Sequence, residues 1–446
     1  MTRQAGDQQP LGGDTAERSN FAHAGRALRH RNFRLFFAGQ SISLIGSWMT
    51  RVATSWLVYR LTKSPLLLGT VGFAGQIPTF LLAPIAGVIV DRIDRRLLLI
   101  GTQALAMAQS LALAWLALTN RINITEVLAL SVLQGIVNAF DMPGRQSFLV
   151  QMVEDKADLS NAIAINSSMV NAARLVGPAL AGMLIAATNE GWCFAADGIS
   201  YIAVIVSLLL MRIHAVRPVS TTTTMVAQLR EGWTYVAASA PIRTILSLFA
   251  LLSLMGWPFM VLMPVFAAQV LHGGPHTLGF LMGAVGVGSL TSALAMVMRR
   301  SVRGLARMLP LAAAIFGAGL ICFGVSSVLW LSMLTMLVTG FGMMQGMTAS
   351  NTILQTLVDE KMRGRVMSYY TMAFVGMAPF GSLLAGAMAH VLGAQRTVIV
   401  SGIACIVGGL WFWTQLKNVR AEMWPIYRQM GIIPDAKIVI EEGAEG

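Results

Sequence analysis

Charged side chains are scarce in this sequence, and their scarcity excludes an ordinary soluble fold. Only 12% of the 446 residues are Asp, Glu, Lys or Arg, whereas 55% are hydrophobic and the mean hydropathy is +0.66. A soluble protein needs many more polar side chains to cover its core. The composition therefore predicts an integral membrane protein.

Cysteines and catalytic motifs are also lacking. Cys193, Cys322 and Cys405 lie in or beside apolar runs, so the sequence predicts no disulfide framework. We find no phosphate-binding loop followed by Lys-Ser or Lys-Thr and no nucleophile elbow. His272 and His276 flank Gly-Gly-Pro, which is typical of a turn rather than a metal site. We therefore expect no enzyme, cofactor or metal.

Twelve apolar runs divide the chain, and each approaches the roughly 20 residues that cross a bilayer as a helix. They lie at 35–60, 65–90, 97–118, 125–142, 161–187, 192–211, 243–270, 277–298, 307–327, 329–350, 366–391 and 395–415. This pattern predicts an all-α integral membrane fold, with twelve transmembrane helices in two six-helix, pseudo-symmetric halves.

The net charge of +12 allows two interpretations, nucleic-acid binding or membrane topology. Arg51 and Arg174 fall within spans. The predicted outer side holds only Arg60, Lys63, Arg121 and Arg396. All other lysines and arginines lie on the opposite side, which the positive-inside rule assigns to the cytoplasm. We therefore expect no nucleic-acid partner, cytoplasmic N- and C-termini, and a multi-pass location in the plasma membrane, here a bacterial inner membrane.

The longest polar interruption, at 212–242, predicts a linker between the two halves. Within it Val226, Leu229, Trp233 and Val236 recur at helical spacing, which is typical of a helix lying in the membrane interface. Residues 1–32 lack the apolar core of a signal peptide, so no cleavable signal is expected. The predicted order is a cytoplasmic tail at 1–32, a bundle at 33–211, the cytoplasmic linker at 212–242, a second bundle at 243–415 and a cytoplasmic tail at 416–446.

A short internal repeat supports the two halves. Val-Glu-Asp-Lys at 153–156 follows the fourth span, and Val-Asp-Glu-Lys at 358–361 follows the tenth. Pro178 and Pro379 then lie near the middle of the next helix in each half. Duplicated halves around a central site are typical of transporters that work by alternating access.

The segment from Gly87 to Arg96 joins the second and third spans by a charged turn at one membrane face. It reads Gly-Val-Ile-Val-Asp-Arg-Ile-Asp-Arg-Arg. The major facilitator superfamily has a signature here: Gly, three residues, Asp-Arg, one residue, Gly, Arg, and Arg or Lys. The sequence resembles this superfamily, with Asp94 in place of the inner glycine and with matches at Gly87, Asp91, Arg92, Arg95 and Arg96.

The resemblance implies a gate on the cytoplasmic side. Asp91 is expected to cap the eleventh helix near Arg363-Gly364-Arg365, and Arg95 to meet Asp141 at the end of the fourth helix. Gly87 would let the second helix approach a neighbour closely. The alternative is that these charges only fix topology. The expected gate residues are Gly87, Asp91, Arg92, Arg95, Arg96, Asp141, Arg145, Arg363 and Arg365.

A more specific pattern begins at Asp141, where the chain reads Asp-Met-Pro-Gly-Arg-Gln-Ser. Together with Trp-Leu-Val-Tyr at 56–59 and Leu-Thr at 61–62, it resembles the branch that holds the enterobactin exporters and macrolide-efflux proteins. This likeness covers nearly the whole chain, and it implies efflux.

The fifth span also resembles the antiporter signature of exporters in the superfamily. The matching residues are Ala173, Gly177, Pro178, Ala181 and Gly182. Glycines permit close helix packing, and a proline removes one backbone hydrogen bond, so Ala173, Gly177, Pro178 and Gly182 could form a hinge. The alternative is that they serve only packing. The resemblance favours export.

Ionisable residues inside the bilayer are costly, and Arg51, Arg174 and Asp197 are the clear examples. Arg51 lies nine residues before Arg60 and Asp197 seven after Glu190, so the two could lie at similar depth and could pair. We expect Asp197 to take up a proton and to exchange Arg51 or Arg174 as its partner when substrate leaves. The alternative is a fixed structural pair, or a carboxylate in outer water.

In relatives the first, fourth, seventh and tenth helices line a central cavity, which implies substrate contacts on these helices. Amide side chains can instead join neighbouring helices. The candidates are Trp48, Gln134, Asn138, Trp257 and Gln345, with Gln40 and Asn351 as further polar positions.

These features predict a secondary active transporter that exports a small amphipathic molecule, such as a drug or a siderophore, by proton antiport. Uptake or facilitated transport of a small solute by the same fold is the alternative. Its expected partners are the small-molecule substrate, protons and the lipid bilayer, and we expect it to be a monomer.

Overall fold

The computed structural model describes residues 26–153, 155–212, 225–299 and 302–429. Glu154 of the predicted repeat, and parts of the predicted tails and linker, lie outside these ranges. Within them, the side chains of Asp91 and a few other residues are also outside the described part. Helices fill most of the described ranges, which hold no β-strand. The all-α prediction is confirmed.

The described ranges hold fifteen α-helices, which we number in chain order. They are α1 Arg31–Thr62, α2 Pro65–Arg92, α3 Arg95–Leu118, α4 Ile124–Leu149, α5 Leu159–Ala187, α6 Glu190–Leu210, α7 Met225–Ala238, α8 Ala240–Leu251, α9 Phe259–Val265, α10 Pro275–Val297, α11 Leu305–Val325, α12 Leu329–Leu357, α13 Glu360–Phe374, α14 Ala378–Leu392 and α15 Ala394–Gln429.

Membrane-length helices occupy the places that the apolar runs predict. Eleven spans in the described chain are long and apolar enough to cross a membrane. Helix α1 is not among the eleven, although it has 32 residues, because Arg51 and several hydroxyl side chains lower its hydropathy. With α1 at the place of the first apolar run, the described helices are consistent with the twelve predicted spans.

Two spans are interrupted rather than continuous. The seventh span, Ala240–Val270, consists of α8 and α9 with π turns at Leu252–Gly256 and Phe266–Val270. The eleventh span, Met362–Leu392, is divided at residues 375–377 into α13 and α14. Such interruptions free backbone groups and allow a helix to bend.

Side-chain caps define the starts of several helices. Ser64 accepts a hydrogen bond from the backbone N–H of Leu67 at 3.4 Å, and Asn123 forms a capping box with Glu126. Asp94 accepts from the backbone N–H groups of Arg96 at 2.8 Å and Leu97 at 3.1 Å, so it is the N-cap of α3. This explains why an aspartate can replace the inner glycine of the signature.

Helices α1 to α6 pack together through small residues. Helix α1 contacts α5 and α6, α3 contacts α6, and α2 contacts α4. A Cβ on Gly46 would lie 2.9 Å from the Cα of Asp197, so a larger residue at 46 would push α1 away from α6. Gly46 therefore sets how closely α1 approaches the carboxyl group of α6.

Helices α8 to α15 form a second group. Helix α12 packs against α10 and α11, and α15 packs against α11 and α8. A Cβ on Gly317 of α11 would lie 2.5 Å from the carbonyl oxygen of Gly402 on α15, and the reverse distance is also 2.5 Å. The two groups correspond to the two predicted halves of the fold.

The halves meet mainly through α2 with α14 and α5 with α10. A Cβ on Gly69 would lie 2.9 Å from the Cα of Gly386, and one on Gly182 would lie 3.0 Å from the Cα of Gly279. All four glycines lie near the helix ends that are remote from the linker. We call this the far side of the molecule and the opposite side the linker side.

Contacts between the halves are missing at the corresponding linker-side positions. A Cβ on Gly87 of α2 or on Gly364 of α13 would meet no atom within 4 Å. The close helix approach expected at Gly87 is therefore absent from this state. The described halves touch on the far side and stand apart at these linker-side positions.

Three helices extend beyond the apolar runs that predicted them. Helix α4 continues from the expected 142 to Leu149, α12 from 350 to Leu357, and α15 from 415 to Gln429. In α15, Phe412, Leu416, Val419, Met423 and Tyr427 recur at helical spacing and pack into the core of the second half. Residues 416–429 are therefore part of the packed fold, which corrects the tail boundary expected at 416.

Candidate functional site

Asp197 of α6 is enclosed by hydroxyl groups in the first half. Its side chain is 1% exposed. It accepts hydrogen bonds from Ser110 Oγ at 2.7 Å, Thr50 Oγ1 at 2.9 Å and Ser47 Oγ at 3.4 Å. We call Ser47, Thr50 and Ser110 the hydroxyl cage. Because all three groups donate to the carboxylate, the cage stabilises its ionised form in an otherwise apolar bundle.

The sequence builds the hydroxyl cage from two helices. Ser47 and Thr50 are three residues apart on α1, so they share one helix face, while Ser110 comes from α3. Tyr201, one turn after Asp197, places its hydroxyl 3.4 Å from Ser47 Oγ. Sequence reasoning missed this cage, since hydroxyl residues are common in membrane helices and no local signal joins them to Asp197.

The expected ion pair between Asp197 and an arginine does not form, which corrects that prediction. The Cζ atoms of Arg51 and Arg174 lie 4.8 Å and 5.4 Å from the ring centroid of Trp48. No described carboxylate lies within ion-pair distance of either guanidinium. Nε and Nη1 of Arg174 are buried without a hydrogen-bond partner. The two arginines therefore share an aromatic ring instead of an acid.

The fifth-span motif positions this ring. A Cβ on Gly177 would lie 2.5 Å from Trp48 Cβ and 3.0 Å from the carbonyl oxygen of Ile45, so a glycine is required where α5 crosses α1. Helix α5 is continuous over Leu159–Ala187 with Ala173 and Pro178 buried inside it. In this state the motif acts by packing, and its role as a hinge stays a prediction.

The break occurs instead in the equivalent span of the second half, at residues 375–377 just before Pro379. A Cβ on Gly376 would lie 2.7 Å from Phe80 Cε2, so Gly376 packs closely against the α2 side chain Phe80. Phe80 also meets Phe380 edge-on at 5.9 Å between ring centroids. The interrupted span thus lies at a contact between the halves.

Asp141 of the expected gate makes its described contacts within the first half. Asp141 accepts from Gln103 Nε2 at 2.7 Å and Thr102 Oγ1 at 3.0 Å, and it pairs with Arg145 on its own helix. The pair expected with Arg95 is replaced by this arrangement. Asp141 thereby joins α4 to α3 and lies within α4 rather than at its end.

Two other gate arginines, Arg96 and Arg365, contact their own half or the linker helix. Nε and Nη2 of Arg96 donate to the carbonyl oxygens of Leu208 and Leu209, both at 2.7 Å, at the end of α6. Nη1 of Arg365 lies 2.5 Å from Glu231 Oε1, which ties α13 to α7. Arg92 and Arg363 are exposed, and the side chain of Asp91 is outside the described part. A latch between the halves stays a prediction for another state.

The polar cavity candidates differ in whether their side-chain hydrogen bonds are satisfied. Gln345 is buried and its Oε1 accepts from Ser292 Oγ at 2.8 Å, so it joins α12 to α10 instead of facing a cavity. Gln134 Nε2 donates to Asn138 Oδ1 at 3.2 Å, while Gln134 Oε1 is buried without a partner. Of the two, Gln134 is thus the one left with an unsatisfied polar atom.

Trp257 lies at an apolar pocket in the second half. Its ring meets Phe374 edge-on, with 4.9 Å between the centroids. The pocket is lined by Phe249, Leu252, Trp257, Ala312, Ala313, Phe316, Gly342, Met343, Gly346 and Phe374.

The chain is similar to known membrane proteins over most of its length. A family model described as "Transmembrane secretion effector" matches residues 22–430. The Staphyloferrin A transporter of Staphylococcus aureus is 26% identical over 393 residues, covering 87% of this chain and 98% of the relative. The multidrug efflux pump Tap of Mycolicibacterium fortuitum is 27% identical, with coverages of 82% and 91%. Macrolide efflux protein A of Streptococcus pyogenes is 22% identical, with coverages of 85% and 96%.

Solved structures show the same fold at low sequence identity. A bacterial homologue of the lysosomal transporter Spinster, inward-facing and unoccupied, aligns with a TM-score of 0.68 at 11% identity, covering 88% of this chain and 98% of that one. A POT family transporter in complex with 5-aminolevulinic acid aligns with a TM-score of 0.71 at 11% identity, with coverages of 87% and 96%.

Proposed function

We propose, since this chain belongs to the transmembrane secretion effector family of the major facilitator superfamily, that it exports a small amphipathic molecule by proton antiport. Both halves of the transporter lie in one chain, so a monomer suffices for the cycle. Family membership by itself gives an efflux-type membrane transporter and not an enzyme. Export of an amphipathic molecule by proton antiport is the part that we add.

The contact between the halves carries the proposal of alternating access. Gly69 with Gly386 and Gly182 with Gly279 bring the helices together on the far side, whereas Gly87 meets nothing on the linker side. Rocking around the far-side contacts would close the linker side and open the far side. A central site would then face each side of the membrane in turn.

The charge distribution indicates which side of the membrane the linker side faces. Lysines and arginines concentrate at the linker-side ends of the helices, and only Arg60, Lys63, Arg121 and Arg396 lie toward the far side. By the positive-inside rule, the linker side faces the cytoplasm. The described state would then admit substrate from the cytoplasm, and the relatives named as efflux pumps support release on the far side.

Asp197 is our candidate for proton coupling. The hydroxyl cage offers three donors to the ionised carboxylate. A protonated carboxyl group must instead donate one hydrogen bond, and a serine or threonine hydroxyl can turn to accept it. Proton binding would therefore rearrange contacts among α1, α3 and α6, the helices that meet at this carboxyl group.

Transport into everted membrane vesicles tests this function. Vesicles that are acidified inside should accumulate an exported macrolide, lipophilic cation or siderophore, and a protonophore should abolish the accumulation. Asp197→Asn should remove proton-driven accumulation while leaving the protein folded. Accumulation only in right-side-out vesicles would support uptake instead, and accumulation that ignores the protonophore would contradict proton antiport.

A further inference from the structure

We infer that Arg51, Arg174 and Trp48 form a binding site for an anionic group, so that the transported molecules include amphipathic acids. The inference rests on the proposed transport function and specifies one part of the substrate. We call these three residues the arginine site. A carboxylate is the chemistry that fits best, because a guanidinium donates paired N–H groups in a plane that matches carboxylate oxygens.

The arginine site has unsatisfied positive charge. Both guanidinium groups lie over the Trp48 ring, and no described acid is within ion-pair distance of either. Arg174 has Nε and Nη1 buried without a hydrogen-bond partner. A buried donor without a partner loses its bonds to water and gains none in return. An anion placed there would restore these bonds.

Two like charges on one ring also repel each other. Stacking on a tryptophan face offsets part of this cost, because the ring face is electron-rich. The repulsion itself remains until a negative group binds near both cations. The arrangement is therefore better suited to a site that fills and empties than to a permanent structural contact.

Asp197, the acid expected at the depth of Arg51, already has hydrogen-bond donors for its carboxylate. Asp197 is held by the hydroxyl cage, including Thr50, which directly precedes Arg51 in α1. Successive residues on a helix point about 100° apart, so Thr50 can face Asp197 while Arg51 faces Trp48. The proton site and the anion site are thus neighbouring but separate.

The arginine site lies on helices that border the second half. Helix α1 contacts α9 and α10, and α5 contacts α10. Arg51 is exposed in this linker-open state, whereas Arg174 is half-buried. Gly177 fixes Trp48 against α5, which gives the site a rigid wall.

A matched pair of fluorescent probes tests the inference. Pyrenebutyrate is an amphipathic acid, and pyrenebutanamide differs from it only in lacking the charge. Binding to the purified full-length protein is measured by fluorescence in neutral detergent, and transport is measured in energised everted vesicles. Wild type should bind the acid at least about 10-fold more tightly than the amide, because a charged hydrogen bond is stronger than a neutral one.

Arg174→Gln and Arg51→Gln should each remove most of this preference by weakening binding of the acid far more than binding of the amide. Arg121→Gln is the matched control, since Arg121 lies over Trp115 at 5.8 Å on the far side and belongs to no proposed site. Equal binding of acid and amide by folded wild type would overturn the anion site, even if energised vesicles still accumulate a lipophilic cation. Acid preference without energised transport would instead overturn the proposed function and leave the anion site standing.

The anionic group could also belong to a lipid. Repeating the binding measurement with added phosphatidylglycerol, and with phosphatidylcholine as control, separates the two sources. Unchanged acid preference supports a soluble substrate. Loss of the preference with phosphatidylglycerol alone would assign the arginine site to a lipid phosphate and overturn its role in substrate binding.

Discussion

Thr50 Oγ1 donates to Asp197 Oδ2 at 2.9 Å, although 147 residues separate the two in the chain. This bond places the middle of α1 beside the middle of α6. Above it, Arg60 and Glu190 form a bidentate ion pair with distances of 2.8 Å and 3.2 Å. The two helices are therefore held in register at two depths, and α6 cannot slide along α1 without breaking both contacts.

Replacing Asp197 by asparagine should uncouple transport from the proton gradient. Asparagine retains the size and one acceptor oxygen, so the hydroxyl cage should persist and the protein should fold. We expect proton-driven accumulation to fall by about 100-fold, within the range seen when a group essential for proton transfer is lost. Exchange of labelled for unlabelled substrate, which needs no net proton movement, should continue. Glu126→Gln, in an exposed helix cap, is the control, and equal losses in both variants would contradict a special role for Asp197.

Removing one donor of the hydroxyl cage should impair transport less than removing Asp197, and its effect should be seen in thermal stability. Ser110→Ala deletes the shortest of the three hydrogen bonds to Asp197 and leaves Thr50 and Ser47 in place. A hydrogen bond to a charged group is worth about 1.5–3 kcal/mol, so thermal stability should fall by a similar free energy. Ser55→Ala, whose hydroxyl bonds only to the backbone of its own helix, should cost less. Equal destabilisation by the two variants would show that the bond from Ser110 to Asp197 adds no more stability than a hydroxyl bond to the backbone.

The far-side glycine contact should control the balance between states. A Cβ on Gly182 would lie 2.8 Å from the carbonyl oxygen of Pro275, so Gly182→Val should overpack the α5 and α10 crossing by about 1–3 kcal/mol. The linker-open state should lose population, which labelling of a single cysteine near Gly364 can report as reduced access. Gly283→Val is the control, because a Cβ there meets no atom within 4 Å. Unchanged labelling in Gly182→Val would exclude a role of this contact in the cycle.

A cross-link should report the predicted closing of the linker side. Gly87→Cys together with Gly364→Cys, in a chain whose three natural cysteines are replaced, should form a disulfide slowly in the described state. Conditions that favour the opposite state should accelerate the cross-link and stop transport until it is reduced. A fast cross-link in every condition would show that the linker side does not open as described.

The linker helix α7 should stay docked on α13 through a charge pair and ring contacts. Glu231 pairs with Arg365, and the rings of Trp233 and Tyr369 lie 5.8 Å apart. Glu231→Arg should increase chymotryptic cleavage in α7, and adding Arg365→Glu should restore protection. Because Glu231 is largely exposed, the pair alone contributes little stability, and ring packing should retain part of the docking.

Docking of α7 should also respond to alkaline pH. Burial raises the pKa of Tyr235 above its ordinary value of 10.0. A group with a raised pKa in the docked state favours docking while it is protonated, so its contribution is complete below the ordinary value and is lost as pH rises through the raised one. Protection from proteolysis should therefore be constant from about pH 6 to pH 9 and decline above that range. Tyr235→Phe should abolish the alkaline decline.

The sequence predicted the positions of the spans well because a bilayer imposes a length on each apolar helix. Counting from Arg60 and Glu190 also placed Arg51 and Asp197 at one depth, and the Thr50 contact agrees with that depth. The rotation of α1 was not predictable, since one residue along a helix turns the side chain by about 100°. Helix ends beyond the membrane were missed because packing, not hydropathy, sustains them.

The glycine contacts between the halves have a mechanical consequence. They act as a pivot near one end of the long helices that cross between the halves. Gly69 lies at this pivot, and α2 from Gly69 to Gly87 is about 27 Å long at the usual rise per residue. A tilt of about 10° would therefore displace its linker-side end by about 5 Å, roughly one helical pitch. Adjustments of less than an ångström where the glycines touch would therefore be enlarged along the helix, and they would open or close the linker side.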